Sequence, residues 1–136
     1  MNKRTARLLA LLPAIWLASS APAFSAGQQL AMLDQLERGS WELRYRGAER
    51  RVERLCVADG RRLIQLRHPG PGCQRVVIED GATAVTVQYT CPGRGYGRTQ
   101  IKRETNRLVQ LTSQGIADGL PYEDAAEARR VGDCAS

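Results

Sequence analysis

Histidine is nearly absent from this chain: His68 is the only one among 136 residues. Lysine is almost as scarce, with only Lys3 and Lys102, and no two cysteines stand in a Cys-x-x-Cys spacing. Each scarcity excludes a chemistry. Without close cysteine pairs, and with His68 not spaced as a partner ligand, a structural zinc site is missing, and so is a thioredoxin-like redox motif. Aromatic residues are only 5% of the chain, and Tyr89 and Tyr96 make no repeated stacking platform for single-stranded nucleic acid. No apolar run reaches the roughly 20 residues that a membrane-spanning helix needs. No motif for a cofactor is found.

What the chain does have begins with an export signal. Lys3, Arg4 and Arg7 form a positive n-region, and Leu8 to Leu17 is an apolar run broken only by Pro13. Ala21-Pro22-Ala23 then offers small residues at the positions that signal peptidase reads. Cleavage after Ala23 fits better than cleavage after Ala26, which would put Phe24 in a pocket that prefers small side chains. Residues 1–23 therefore read as a secretory signal peptide and 24–136 as one domain, periplasmic or secreted. No cysteine near the cleavage site suggests a lipid anchor. Removing the three basic residues cuts the formal charge of +6 to about +3, too mild for a nucleic-acid footprint.

An exported chain meets an oxidising compartment, so Cys56, Cys73, Cys91 and Cys134 read as disulfide partners. Cys73 opens one β-like segment and Cys91 closes the next, with the turn signal Asp80-Gly81 between them. Folding about that turn sets Cys73 opposite Cys91, which leaves Cys56 for Cys134.

The rest of the chain reads mainly as strand. Trp41, Leu43 and Tyr45 alternate with Glu42, Arg44 and Arg46, the first set facing a core and the second water. Gly47-Ala48 turns the chain into a return strand from Arg51 to Val57. Arg98 to Glu104 and Arg107 to Ser113 read as two strands about Thr105-Asn106, and Gly115 to Pro121 as a turn-rich connection. Gln28 to Arg38 is expected as a short helix, and Asp59 as the cap of another over Gly60 to Leu66. The tail 122–131 is open between helix and a final strand. The expectation is one mainly antiparallel β domain of about seven strands with one or two short helices, curled into a sandwich or a partly open barrel. Its core would include Trp41, Leu43, Val77, Val85, Val87, Ile101, Leu108 and Leu111.

Gly39-Ser40-Trp41-Glu42 at the first strand, Cys56 in the second and the ending Arg129-Arg130-Val131-Gly132-Asp133-Cys134 resemble the bacterial periplasmic family catalogued as domain of unknown function 3617. The resemblance covers nearly the whole mature chain. It implies a small antiparallel β domain with cysteine pairs, and moves the tail toward strand. It implies no catalytic or ligand residue. Many members carry a Met- and Pro-rich stretch after the first strand, where this chain has a short arginine-rich turn.

Candidate sites are few. His68, in the loop His68-Pro69-Gly70-Pro71-Gly72, reads as a solvated histidine. The alternative is a hydrolase or lyase pairing it with a carboxylate such as Asp59 or Asp80. The loop Pro92 to Gly97, flanked by Arg94 and Arg98, could form an anion-binding nest, although a connection needing positive φ explains its glycines as well. Arg44, Arg46, Arg50, Arg51 and Arg54, with Arg61 and Arg62, could present a basic face to an anionic envelope component, diluted by Glu42, Glu49 and Glu53. The leading expectation is a non-catalytic binding or interaction module, whose partner is a protein or a small apolar ligand. A hollow interior would favour carriage of a ligand; a filled one, contact through the surface.

Overall fold

The computed structural model describes residues 29–48 and 50–135; the segment expected to be a signal peptide, both expected cleavage positions and Glu49 lie outside them. Seven antiparallel strands form one sheet: β1 (Gly39–Arg46), β2 (Val52–Val57), β3 (Gln74–Asp80), β4 (Ala84–Cys91), β5 (Gly95–Thr105), β6 (Leu108–Ala117) and β7 (Leu120–Gly132). Their order in space is β2-β1-β7-β6-β5-β4-β3. β3 to β7 is a simple meander, and the β1–β2 hairpin joins it by pairing β1 with β7. The tail is therefore strand, and it links the two halves of the sheet.

Period-two alternation explains the layering. Trp41, Leu43 and Tyr45 are buried on the inner face, while Arg44 and Arg46 are exposed on the other. Glu42 departs from the expectation. It belongs to the outer face but is 8% exposed, because the guanidinium groups of Arg44 and Arg54 cover it. In-register rows carry the inner face across the strands: Val85, Ile101, Leu111 and Ala126 form one, and Val109, Ala128 and Leu43 another. Leu108 was expected in this core and lies outside the buried set. It is three residues from Leu111, so in a pleated strand the two point to opposite faces. Val109 takes its place.

The position of β2 and β3 at opposite edges has a topological consequence. The connection between them, residues 58–73, runs over the inner face, where Ile64 O meets Thr99 and His68 meets Tyr89. This strap starts with a 3-10 turn, Gly60–Leu63, shorter than the expected helix and capped as foreseen by Asp59, whose side chain accepts from the Arg61 N–H. Leu63 and Ile64 of the strap pack with Met32 and Leu33 of a short helix, α1 (Ala31–Asp34), against Trp41, Leu43, Val85, Val87, Ile101 and Leu111; none is more than 1% exposed. The interior is filled by side chains, each large one contributing roughly 1.5–3 kcal/mol by burial. There is one strapped sheet, not a sandwich of two.

α1 is much shorter than the helix expected over Gln28 to Arg38. Leu30 at φ 55° starts it abruptly, and residues past Gln35 are drawn away by tertiary bonds: Glu37 N–H donates to Asn106 O, and Trp41 Nε1–H to Glu37 O. An isolated segment of that length is marginal as helix, so such bonds decide its path. The apolar residues Leu30, Leu33 and Leu36 are buried all the same.

The connection expected over Gly115 to Pro121 is also shorter. β6 and β7 run through it to a two-residue turn, Asp118-Gly119, both with positive φ of 51° and 80°. An Asp-Gly pair suits that turn because its twist matches the strands it joins. The disulfides join Cys73 to Cys91 and Cys56 to Cys134, the pairing read from the hairpin. By the chain-entropy argument they stabilise the domain by roughly 3 and 4.5 kcal/mol respectively.

Candidate functional site

The sheet makes room for the strap with glycine. One inner-face row runs Tyr89 (β4), Gly97 (β5), Gly115 (β6), Tyr122 (β7), each in register with the next. The two tyrosines lean inward over the glycines until their hydroxyls meet at 3.0 Å. A Cβ on Gly97 would lie 2.3 Å from the Tyr122 hydroxyl and 2.5 Å from that of Tyr89. Glycine is required here by close approach rather than by φ.

His68 docks on this pair. His68 is 3% exposed, which corrects the expectation of a solvated histidine. Its Nδ1 is 3.1 Å from the Tyr89 hydroxyl and its Nε2 is 3.1 Å from Arg94 O. The contacts continue through the Tyr122 hydroxyl to Ser113 Oγ at 3.3 Å, then to Thr99 Oγ1 at 2.8 Å, which donates to Ile64 O at 2.6 Å. Both ends of the chain are carbonyl oxygens, which only accept.

For an uncharged imidazole, counting protons gives a direction to each bond. There are six contacts, and four hydroxyls plus an uncharged imidazole supply five protons. Thr99 donates to Ile64 O, so Ser113 donates to Thr99. Nε2–H donates to Arg94 O, so Nδ1 accepts from Tyr89, and Tyr89 accepts from Tyr122. The contact left without a proton is Ser113 to Tyr122, and it is the longest of the six. An uncharged ring must then be the Nε2–H tautomer, because the Arg94 O facing that nitrogen can only accept. Burial pushes the Tyr89 hydroxyl far above its usual range, so it stays protonated.

The exposed end of the strap is held as tightly. Gln65, 8% exposed, donates through Nε2 to His68 O and Gly70 O, both at 2.9 Å. Arg94 reaches across from the turn before β5 and donates to Pro69 O at 2.9 Å and Pro71 O at 3.2 Å. Four successive carbonyls of a Pro-Gly loop are therefore satisfied by two side chains, and the Cys73–Cys91 bridge anchors its end. With its guanidinium so engaged, Arg94 serves the loop rather than the anion-binding nest foreseen between Pro92 and Gly97.

An ion pair completes the attachment. Arg67 of the strap donates Nε and Nη2 to the two oxygens of Asp124 on β7, at 2.6 and 2.7 Å, and Asp124 is 5% exposed. Arg51 approaches the same carboxylate at 3.6 Å while stacking 3.5 Å from the centre of the Tyr45 ring. Burial, with Glu53 next, pushes the Tyr45 hydroxyl up to about 12.

The other anticipated residues do not converge on His68. Asp59 caps the 3-10 turn, and Asp80 accepts from Leu30 N–H at 3.2 Å; neither hydrogen-bonds with the imidazole. The arginines of the first hairpin are largely spoken for. Arg44 and Arg54 flank Glu42, and Arg51 meets Glu53. Arg61 bridges Asp34 and Asp59. Sequence reasoning missed Gln65, Arg67, Ser113, Tyr122 and Asp124. The alternation of β7 was the available signal for the last two, obscured by the alanines around them. Among the described residues no group of three or more metal-ligating side chains gathers, and no helix is long and apolar enough to cross a membrane. Two disulfides fit an oxidising extracytoplasmic compartment.

Comparison with protein-family models, with curated proteins and with solved structures finds no match in any of the three.

Proposed function

We propose that this chain is an exported periplasmic protein, released after cleavage near Ala23, and that it acts as a non-catalytic interaction module through its surface. The observation that carries this reading is the filled inner face. Strap, helix and sheet side chains occupy the volume where a carrier of this shape would hold an apolar ligand. The single histidine supports it too, because both ring nitrogens are engaged in structural bonds. A general acid or base needs one of them within reach of a substrate proton.

Membership of the periplasmic family of domain 3617 belongs to the same proposal. The residues behind that resemblance gather in one corner. Ser40 pairs with both Cys56 and Gly132 across the strands beside it, and Cys56 bonds to Cys134. A motif that closes the fold between its first and last strands is a structural signature, in keeping with a module whose scaffold is kept.

Native mass spectrometry of the protein purified from an exporting host tests the reading. The expected mass is that of the mature chain with two disulfides and nothing else. A stoichiometric apolar molecule, released only on denaturation, would overturn it in favour of carriage.

A further inference from the structure

The sheet curls until its two edge strands share a groove. Glu53 and Leu55 of β2, Arg75 of β3, and Arg62, Leu66 and Pro69 of the strap line an open cleft of about 420 Å³. Its floor is apolar, from Leu55, Leu66 and Pro69. Its charge is unbalanced. Glu53 is committed to Arg51 and to the Tyr45 hydroxyl. Arg75 donates only to the neutral Gln65 Oε1, at 2.6 and 3.0 Å, and among the described residues Arg62 meets no carboxylate. Desolvation lowers the pKa of Arg75, Asp59 partly offsets this, and Arg61 adds to it; with no carboxylate among the described residues bonded to either guanidinium, the groove has two cations to offer an anion.

The wall of the groove is a free strand. β2 pairs with β1 alone among the described strands. Tyr45 N–H donates to Arg51 O, which sets the register of hydrogen-bonded pairs and turns the backbone groups of Val52, Arg54 and Cys56 outward. The Arg54 side chain folds onto Glu42 instead of shielding that edge. Pro69 and Gly70 on the groove's rim are exposed and held through their carbonyls by Arg94 and Gln65, so binding against them costs little ordering entropy.

Building on the surface-module reading, we infer that this groove receives an extended acidic peptide segment of a partner protein. The segment adds as a strand to the outer edge of β2, puts an apolar side chain over Leu55 and Leu66, and delivers a carboxylate to Arg62 and Arg75. Main-chain bonds supply affinity and the alternate side chains supply selectivity, as in other strand additions. The two arginines make the preference acidic.

The test uses the full disulfide-bonded chain, isotope-labelled, with two synthetic hexapeptides: Val-Thr-Val-Thr-Asp-Asp, and the same sequence with Asn-Asn and an amidated end. The expected result is binding of the acidic peptide alone, with shift changes confined to β2, the segment from Arg62 to Gly70, and Arg75. Binding should weaken about tenfold with Arg62→Glu, an exposed site where folding is not at stake, and more with Arg75→Gln added. Methylating alternate peptide nitrogens should abolish it. Equal binding of both peptides, no binding of either, shifts along the outer edge of β3, or retention by anionic phosphatidylglycerol vesicles in place of the peptide would each overturn the inference. Failure here with a ligand-free native mass removes this site and leaves the surface-module reading standing; a co-purifying apolar ligand removes that reading itself.

Discussion

Tyr89 and Tyr122 start three strands apart on the inner face and meet hydroxyl to hydroxyl at 3.0 Å, over Gly97 and Gly115. Strands are spaced about 4.8 Å apart, so the row spans about 14 Å. Gly97 leaves the space into which they close, since a Cβ there would press on both hydroxyls, while one on Gly115 would press on the β5 backbone. His68, and through it the strap, stands on the bridge so formed.

Gly97→Ala is therefore expected to destabilise the domain by about 2–3 kcal/mol, the cost of forcing a methyl group into a filled site. Gly132→Ala, where an added Cβ meets nothing within 4 Å, should change stability by less than about 0.5 kcal/mol. Urea unfolding of the two variants makes the comparison.

The direction of the hydrogen bonds ranks two conservative substitutions. Tyr89→Phe removes the donor to His68 and the acceptor for Tyr122, leaving two buried groups unpaired, at roughly 2–3 kcal/mol. Tyr122→Phe removes one proton from the network and leaves His68 and Tyr89 joined, at roughly 1 kcal/mol. Equal losses in chemical denaturation would contradict the assigned directions.

Asp124→Asn should cost about 2–4 kcal/mol, since Arg67 loses the carboxylate that clamps the strap to β7. Hydrogen exchange should then speed up in residues 63–70 before the rest of the sheet is affected.

Acid should weaken the fold through Glu42. Bonds from Arg54, then Arg44, hold its carboxyl below the usual value of 4.5. A depressed folded-state pKa gives stability that is complete above the unfolded value and lost as pH falls through the folded one. Asp34, lowered by Arg61 from 3.8, acts in the same direction. Melting temperature should decline below about pH 4.5, and Glu42→Gln should flatten that decline while lowering stability at neutral pH.

The scaffold was legible in the sequence because its signals are local. Alternation marked β1, and a hairpin turn paired Cys73 with Cys91 without any knowledge of the sheet order. The site was not legible, because it is written across strands. His68 sits beside two prolines and two glycines and reads as exposed, while its partners Tyr89 and Arg94 lie 21 and 26 residues away. Arg67 and Asp124 are 57 residues apart. The glycine row has meaning only once β4 to β7 are in register. Leu108 failed for a simpler reason: hydrophobicity was read without the parity that a strand imposes.

The account rests on His68 as a buried support of the strap, and its ring nitrogens report on that directly. A long-range nitrogen–proton correlation spectrum of the labelled protein should show the Nε2–H tautomer, with a ring N–H proton protected from exchange and a contact to the Tyr89 ring. An Nδ1–H tautomer, or averaged nitrogen shifts with no protected ring proton, would contradict it and return His68 to the solvent.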